Sequence, residues 1–249
     1  MKKYKLKSYC KINLSLRVLK RLDSGYHKIM SLMTFCDLYD VISITKSNKT
    51  NDEISFSGKF KKGIKKNSNT VIKTLNLLRS RKFLKKKYFK INVQKNIPHG
   101  SGLGGGSSNA AILLNFFKSF MNLKIKKKEI YKIANQIGSD VAIALQRKNT
   151  FLDGKKNKIL RINTKFDFIT IIVYPNVSCS TGEIYKRNKN FTSFKYRFNH
   201  TAAKKKLVNI LKKENNDLEK AVVEINPKIG KLINFIKVQK GCYFSRITG

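Results

Sequence analysis

Five of the chain's fourteen glycines lie in residues 98–111, which read Pro-His-Gly-Ser-Gly-Leu-Gly-Gly-Gly-Ser-Ser-Asn-Ala-Ala. The alternating segment Tyr88–Gln94 before them predicts a strand, and the apolar segment 110–121 after them predicts a helix. Glycines let backbone amides approach an anion closely, and the free amides at a helix start carry the positive end of its dipole. This order therefore predicts a phosphate-binding loop, with a flexible loop and a Ser or Asn helix cap as the alternative.

Three other phosphate-binding loops are excluded by residues that the chain lacks. Gly100, Gly102 and Gly105 satisfy the dinucleotide pattern G-x-G-x-x-G, but residues 120–126 hold no acidic residue, which that fold needs about 20 positions on. No Gly-Lys-Ser/Thr of a P-loop follows the glycines, and the His-Arg-Asp and Asp-Phe-Gly of protein kinases do not occur. What remains is Gly-Leu-Gly-Gly-Gly-Ser-Ser leading directly into a helix.

Chain length and net charge limit the possible folds and functions less than the glycine loop does. The 249 residues can form one large or two small domains, and a change of character beyond Lys148 predicts domains 1–150 and 151–249. The net charge of +40 would suit RNA, but lysines are spread along the whole chain and Trp is absent, which is typical of an A+T-rich coding sequence. We therefore expect no nucleic-acid partner, although an RNA-binding protein stays an alternative.

The cellular location is predicted from the cysteines and the apolar segments. The four cysteines are far apart in sequence and form no metal-ligand pair, which is typical of a reduced cytoplasm. No window approaches the ~18 apolar residues of a membrane span, and Met-Lys-Lys at the start is not followed by an apolar run. We expect a soluble, cytoplasmic protein without a membrane partner.

Polar groups near the start of the chain are candidates for a site. Residues 4–19 alternate as a strand does, which places Lys11 and Asn13 on the same face. They could direct a cation and an amide into a site, or simply lie on a solvated face. Tyr26 and His27 follow a glycine in the next turn, where a ring and an imidazole could sandwich and hydrogen-bond a nucleobase, or merely belong to the turn.

An acidic residue between two apolar helical patterns is a further candidate. Asp140 lies between the amphipathic segment Lys127–Ile137 and the short apolar run 141–145, in a chain with only 14 acidic residues. It could cap the second segment, or serve as a catalytic base or metal ligand. The remaining patterns predict helices over residues 69–84, 204–212 and 227–238 and strands over 168–174 and 241–247, while residues 32–36 and 39–45 are two apolar stretches.

Four motifs taken together resemble one family. Cys10-Lys11-Ile12-Asn13-Leu14, Gly25-Tyr26-His27, the glycine loop and Gly138-Ser139-Asp140-Val141 are similar, in this order, to the GHMP family of small-molecule kinases. Lys-Ile-Asn-Leu with Gly-Tyr-His is most similar to the branch that phosphorylates the 2-hydroxyl of 4-diphosphocytidyl-2-C-methyl-D-erythritol with ATP, in non-mevalonate isoprenoid biosynthesis. A homoserine- or mevalonate-type kinase stays an alternative.

The resemblance implies a fold and a role for each matching residue. The fold would be α+β with two domains, a ribosomal-protein-S5-domain-2-like domain followed by an incomplete ferredoxin-like α/β plait. Lys11 and Asp140 would be the catalytic pair, within salt-bridge or one-water reach of each other, and Asn69 and Lys95 would lie near the adenine of ATP. The cytidyl substrate would be bound by Asn13, Tyr26, His27, Thr181 and Tyr185. The ATP-phosphate loop would be Pro98, His99, Gly100, Ser101, Gly102, Leu103, Gly104, Gly105, Gly106, Ser107 and Ser108.

The resemblance also implies details of this site and some departures from the family. Tyr185, at the end of a segment that begins with residues 175–178, would stack on the cytosine. Mg2+ would bridge the β- and γ-phosphates near Ser107 or Ser108, with no residue assigned as a metal ligand. The family's Asp before Gly-Tyr-His is Ser24 here, and its proline after Asp-Val is Ala142. Family members continue beyond Thr248-Gly249, so a truncated second domain is expected.

Overall fold

The structure is a computed structural model that describes residues 2–120, 123, 125–177, 179–199 and 204–249. Met121, at the end of the predicted helix 110–121, and Ser178, in the predicted substrate segment, lie outside these residues. In chain order the elements are β1 (Lys3–Arg21), β2 (His27–Ser47), β3 (Glu53–Ser57), α1 (Thr70–Ser80), β4 (Tyr88–Gln94), α2 (Gly105–Phe120), α3 (Lys127–Ile137), α4 (Val141–Ala144), β5 (Asn149–Asp153), β6 (Lys158–Ile162), α5 (Thr181–Arg187), α6 (Lys204–Lys213), α7 (Glu219–Ile225) and α8 (Pro227–Lys237).

The chain divides into two compact units that do not follow sequence order. The first unit comprises Met1–Lys11, Cys36–His99 and Leu103–Arg147, and the second comprises Ile12–Phe35, Gly100–Gly102 and Lys148–Gly249. Each unit therefore takes part of β1 and part of β2. A boundary near residue 150 in the linear sequence stays a prediction.

The first unit packs helices on one parallel and one antiparallel strand pair of the six-stranded sheet β3-β4-β2-β5-β6. β3 pairs in parallel with β4, and β4 pairs antiparallel with the C-terminal half of β2, with Ile42 opposite Val93. Alternation along β4 buries Phe89, Ile91 and Val93 on one face, as a half-buried strand requires. Helix α2 contacts α1, α3 and α4, and its buried Phe117 lies edge-on to Phe89. The core of this unit therefore lies between β4 and α2.

The second unit has further strand pairs and its own core. The N-terminal half of β2 pairs antiparallel with β5, with Leu32 opposite Phe151, and β5 forms a hairpin with β6. Helix α7 contacts α5 and α8. The side chains that share the apolar cluster of this unit come from β1, α5 and the region of α7: Leu16, Val18, Ile184, Leu218, Ala221 and Val222.

Most predicted elements are confirmed. The segments 4–19 and Tyr88–Gln94 are strands, and Lys127–Ile137 is a helix with the predicted bounds. The apolar stretches 32–36 and 39–45, for which no element was predicted, both belong to the single strand β2. The helices over residues 69–84, 110–121, 204–212 and 227–238 correspond to α1, α2, α6 and α8, with the bounds given above.

Two predicted strands are wrong. Residues 168–174 and 241–247 are in no strand, and Ile169 and Ile171 are 99% and 83% exposed. An apolar, β-branched segment becomes a strand only when another backbone pairs with it, and no described strand does so here. Sequence patterns also missed β5, β6, α5 and α7, which are only five or seven residues long.

The described helices include none that combines the length and apolar character needed to cross a membrane.

Candidate active site

The predicted phosphate loop ends at the first turn of α2. Gly100, Gly102 and Gly104 have φ angles of +69°, +74° and +67°, a region that favours glycine. The Ser108 amide donates to the Gly104 carbonyl at 2.9 Å, so Gly104 closes the first helical turn. The amides of residues 105–107 then have no acceptor within the helix, and they can donate to an anion. The glycine loop has the backbone geometry of an anion site.

Two buried oxygens at this helix start have no hydrogen-bond partner in the part of the chain that the structure describes. They are Ser108 Oγ and Asn109 Oδ1. An unsatisfied buried polar atom costs about 1–3 kcal/mol, which a bound ligand can offset. Mg2+ prefers oxygen ligands and usually takes most of them from phosphates and water, so a lone serine hydroxyl beside a phosphate loop fits it. Among the described residues, no group of three or more His, Cys, Asp or Glu is placed to hold a metal ion. A bound Mg2+ would therefore take most of its ligands from phosphates and water.

Lys11 lies against the glycine loop. Its amide donates to the Leu103 carbonyl at 3.0 Å, and a Cβ at Gly104 would be only 2.8 Å from Lys11 Cγ. The Lys11 ammonium is 3.2 Å from Asp140 Oδ2, which confirms that the two are within salt-bridge reach. Lys11 is 5% exposed. The loop therefore holds the lysine stem, and the ammonium is directed to the carboxylate.

The Asp140 side chain does not cap a helix. Asp140 occupies the N-cap position of the four-residue helix α4, but its carboxylate makes no capping hydrogen bond. The interpretation as a helix cap is therefore wrong. One third of the side chain (34%) is exposed, so the carboxylate can both pair with Lys11 and reach a bound ligand.

Asn69 and Lys95, which were assigned to the adenine side, have other contacts. Asn69 Oδ1 caps α1 by accepting from the amides of residues 71 and 72, both at 3.1 Å, and its Nδ2 donates to the Lys65 carbonyl at 3.0 Å. Lys95 is buried and forms an ion pair with Asp40. The Lys95 ammonium lies beside Gly105, at the phosphate end of the loop. Contact of either residue with adenine stays a prediction.

Two further residues support the first unit and were not found from sequence. Thr70 Oγ1 donates to the Gly106 carbonyl at 2.8 Å and so joins the start of α1 to the start of α2. Asp40 holds the segment that leads into the glycine loop. An acidic residue inside the apolar run 39–45, in a chain poor in acidic residues, was a signal for Asp40. Nothing in the sequence distinguished Thr70 from other residues that follow a helix cap.

In the second unit, Asn13 belongs to a chain of hydrogen bonds. Its Nδ2 donates to Ser31 Oγ at 2.7 Å, and Ser31 Oγ donates to the Ser15 carbonyl at 2.6 Å. Because the serine hydroxyl uses its only proton on that carbonyl, it must accept from the Asn13 amide, and this sets the orientation of the amide. The Asn13 backbone amide donates to Thr248 Oγ1 at 2.8 Å. Sequence alone did not identify Ser31.

His27 and Tyr185 contact each other in the same unit. Their ring centroids are 4.8 Å apart and tilted by 34°. A base between two rings would need about two stacking distances of ~3.5 Å each, so these two residues cannot sandwich one at this separation. The sandwich of a base by Tyr26 and His27, and the stacking of Tyr185 on cytosine, stay predictions. Tyr26 is 73% exposed, and its ring is available for stacking.

The His27 ring has one nitrogen that is unsatisfied among the described residues. Its Nε2 is buried and has no partner within the described ranges. Burial, and secondly the charge of Arg21, lower the pKa of His27 below its usual value, so the ring is neutral near pH 7. Thr181 begins α5, and Tyr185 follows four residues later, so both lie on the same side of that helix.

The predicted residues thus fall into two groups. The first unit brings Lys11, Asp140 and Gly104 together, with Lys95 beside the start of α2. The second unit brings His27 and Tyr185 together and holds the Asn13 amide in a hydrogen-bonded chain.

Comparisons with known proteins identify the family. Residues 69–148 match the model of the family described as GHMP kinases N terminal domain. The chain is 39% identical over 249 residues to the 4-diphosphocytidyl-2-C-methyl-D-erythritol kinase of Pelagibacter ubique, over 100% of this chain and 87% of that relative. The chain belongs to the 4-diphosphocytidyl-2-C-methyl-D-erythritol kinase family of GHMP kinases. The family resemblance of the four motifs is therefore confirmed.

A second relative and a solved structure agree with this assignment. The 4-diphosphocytidyl-2-C-methyl-D-erythritol kinase of Caldanaerobacter subterraneus is 33% identical over 99% of this chain and 85% of its own. The fold is similar to a crystal structure of 4-(cytidine 5'-diphospho)-2C-methyl-D-erythritol kinase, with a TM-score of 0.69 and 20% identity over 94% of this chain and 82% of that one. The α+β, two-domain GHMP-kinase fold is confirmed.

Proposed function

We propose that the protein transfers the γ-phosphoryl group of ATP to the 2-hydroxyl of 4-diphosphocytidyl-2-C-methyl-D-erythritol, in non-mevalonate isoprenoid precursor biosynthesis. The relatives support this acceptor over homoserine or mevalonate and over an RNA-binding role. The single observation that carries the mechanism is the Lys11 ammonium 3.2 Å from the Asp140 carboxylate, with the lysine stem against the glycine loop. We place this ATP-consuming reaction in the cytoplasm.

The glycine loop binds the donor. The amides of residues 102–107, with the positive end of the α2 dipole, hold the β- and γ-phosphates of ATP. Ser108 Oγ and Ser107 would hold Mg2+, whose charge neutralises those phosphates when it is bound. The buried, unpartnered Ser108 oxygen supports this assignment.

Asp140 and Lys11 carry the transfer step. Asp140 accepts the proton of the substrate's 2-hydroxyl while the hydroxyl oxygen forms a bond to the γ-phosphorus of ATP. The bond from that phosphorus to the bridging oxygen breaks, and ADP leaves. Lys11 pairs with the carboxylate and stabilises the negative charge on the transferring group. Positioning and charge, rather than covalent catalysis, lower the barrier.

The second unit recognises the cytidyl group. The exposed ring of Tyr26 and the ring of Tyr185 stack on cytosine, while Thr181 and the Asn13 amide bind polar groups of the substrate. His27 Nε2 hydrogen-bonds to the edge of the base, and its buried, unpartnered nitrogen supports this role. Homoserine and mevalonate carry no nucleobase to which the His27 imidazole could hydrogen-bond.

A panel of acceptors tests the proposal. ADP release from ATP and Mg2+ should depend on 4-diphosphocytidyl-2-C-methyl-D-erythritol, with phosphorus NMR showing a phosphomonoester on the product. Homoserine, mevalonate and the same sugar alcohol without its cytidyl group should give no more than background. Turnover with homoserine or mevalonate and none with the cytidyl compound would contradict the proposed acceptor.

A further inference from the structure

The carboxylate of Asp40 binds the segment that enters the glycine loop. Asp40 lies on β2 and is fully buried, at 0% exposure. Its Oδ1 accepts from the amides of Asn96 at 2.8 Å and Ile97 at 2.9 Å, and its Oδ2 forms an ion pair with the Lys95 ammonium. Three donors from three consecutive residues therefore converge on one carboxylate. These residues directly precede Pro98, the first residue of the predicted phosphate loop.

Lys95 in turn lies beneath the start of α2. A Cβ added to Gly105 would be 3.3 Å from Lys95 Nζ and 3.0 Å from Ile97 Cγ2. The space that Gly105 leaves open is therefore filled by the ammonium and by Ile97. Since Gly105 is the first residue of α2, the ammonium lies next to the free amides of the first helical turn.

This placement of the cation is unfavourable unless an anion is close. The amino end of a helix already carries a partial positive charge, so a lysine ammonium beside it raises the energy of the ligand-free protein. Asp40 provides the compensating negative charge from inside the protein. A buried ion pair is by itself a poor source of stability, because the loss of solvation of both charges offsets their attraction. The arrangement is better suited to concentrating positive charge for a bound anion.

We propose that Asp40 is a positioning residue of the ATP site. It holds the Lys95 ammonium, and the backbone of Asn96 and Ile97, so that the cation and the amino end of α2 together bind the triphosphate. This inference rests on the proposed function, since it assumes that the loop binds ATP.

A role in stability alone predicts different behaviour. If the pair only stabilises the fold, any replacement that keeps the site well packed and hydrogen-bonded should leave nucleotide affinity unchanged. If the pair positions charge for the triphosphate, a neutral replacement should weaken ATP binding even when the fold is restored. Affinity for the cytidyl acceptor, assigned to residues of the second unit, should not change in either case.

Two substitutions separate these possibilities. Asp40→Asn keeps an oxygen for the two backbone amides but turns an amide N–H towards the Lys95 ammonium, which destabilises the site. The double variant D40N/K95Q removes both charges and allows the new amide at position 40 to donate to the new carbonyl at position 95. Asp37→Asn, on the same strand, is the matched control, because its carboxylate is 90% exposed and pairs only at the surface with Arg147.

The experiment measures thermal unfolding, calorimetric binding of a non-hydrolysable ATP analogue, and the KM for each substrate. D40N should melt at a lower temperature, and D40N/K95Q should recover most of that loss. Both should raise the KM for ATP by about tenfold or more, as expected when a charged hydrogen-bonding group is lost, with the acceptor KM within about twofold of wild type. D37N should match the wild type in every measurement.

Two results would overturn the inference. Wild-type affinity of D40N/K95Q for the ATP analogue would show that the pair serves the fold alone. Equal increases of both KM values would show a general disturbance instead of a positioned charge. Failure of the unmodified protein to bind the ATP analogue is a separate outcome, because it would refute the proposed function itself.

Discussion

The Lys11 ammonium lies 3.2 Å from Asp140 Oδ2, and the stem of the same lysine passes Gly104 so closely that a Cβ there would be 2.8 Å from its Cγ. Three motifs that are far apart in sequence therefore meet at one side chain. The glycine loop orients the cation, and the cation in turn pairs with the carboxylate that we propose accepts the proton. A substitution in any one of these three motifs should therefore alter the geometry of the other two.

Asp140→Asn should abolish most turnover. The amide cannot accept the proton of the 2-hydroxyl, and positioned general bases contribute about 10²–10⁴-fold to rate. We expect kcat to fall by that factor with the KM for ATP nearly unchanged, measured by coupled ADP release. The surface variant Asp37→Asn should retain wild-type turnover. Near-normal kcat in Asp140→Asn would contradict the assignment of the base.

Gly104→Ala should displace Lys11. The new Cβ would collide with the lysine stem, and the φ of +67° adds backbone strain of roughly 1–2 kcal/mol. Gly241→Ala provides the control for strain alone, since Gly241 has a φ of +84° and a Cβ added there would meet no atom within 4 Å. Both variants should lose similar stability in urea unfolding, but only Gly104→Ala should lose kcat. Equal kcat in the two variants would argue against the contact with Lys11.

Ser31→Ala should weaken binding of the acceptor. It removes the oxygen that accepts from Asn13 Nδ2, at a cost of about 1–3 kcal/mol for an unsatisfied buried group. We expect a several-fold rise in the KM for the cytidyl substrate with the KM for ATP unchanged. Ser47 lies on the same strand, and its Oγ accepts from the Lys49 amide in an exposed hydrogen bond. Ser47→Ala should change neither KM. A rise in the KM for ATP instead would refute this role.

His27 should make stability depend on pH. Because burial lowers its pKa in the folded protein, the unfolded chain, with a His pKa of about 6.5, binds the proton more tightly. The stabilising contribution is therefore fully present above pH ~6.5 and is lost as pH falls through the folded pKa. Urea unfolding of wild type and His27→Gln between pH 7.5 and 5 should show wild type losing more stability on acidification. A folded His27 pKa at or above 6.5 by NMR titration would contradict this.

Elements with a strong local pattern could be predicted from the sequence. β4 and α3 have the predicted bounds, because alternation and helical periodicity are properties of adjacent residues. The glycine loop could also be predicted from the sequence. Its glycines are needed locally, because the φ angles of Gly102 and Gly104 are positive and such angles favour glycine. Residues 168–174 show the limit, because a β-branched segment has no strand without a backbone partner.

The sequence by itself determined which residues could do the chemistry, namely the glycine loop, Lys11, Asp140 and the pair Tyr26 and His27. Only the tertiary structure decided how they act. It left the Asp140 carboxylate without a capping hydrogen bond, paired it with Lys11, and brought the rings of His27 and Tyr185 into contact. It also bonded Asp40 to the segment that enters the glycine loop. Such contacts join residues tens to more than a hundred positions apart, and local patterns hold no information on which distant groups meet when the core packs.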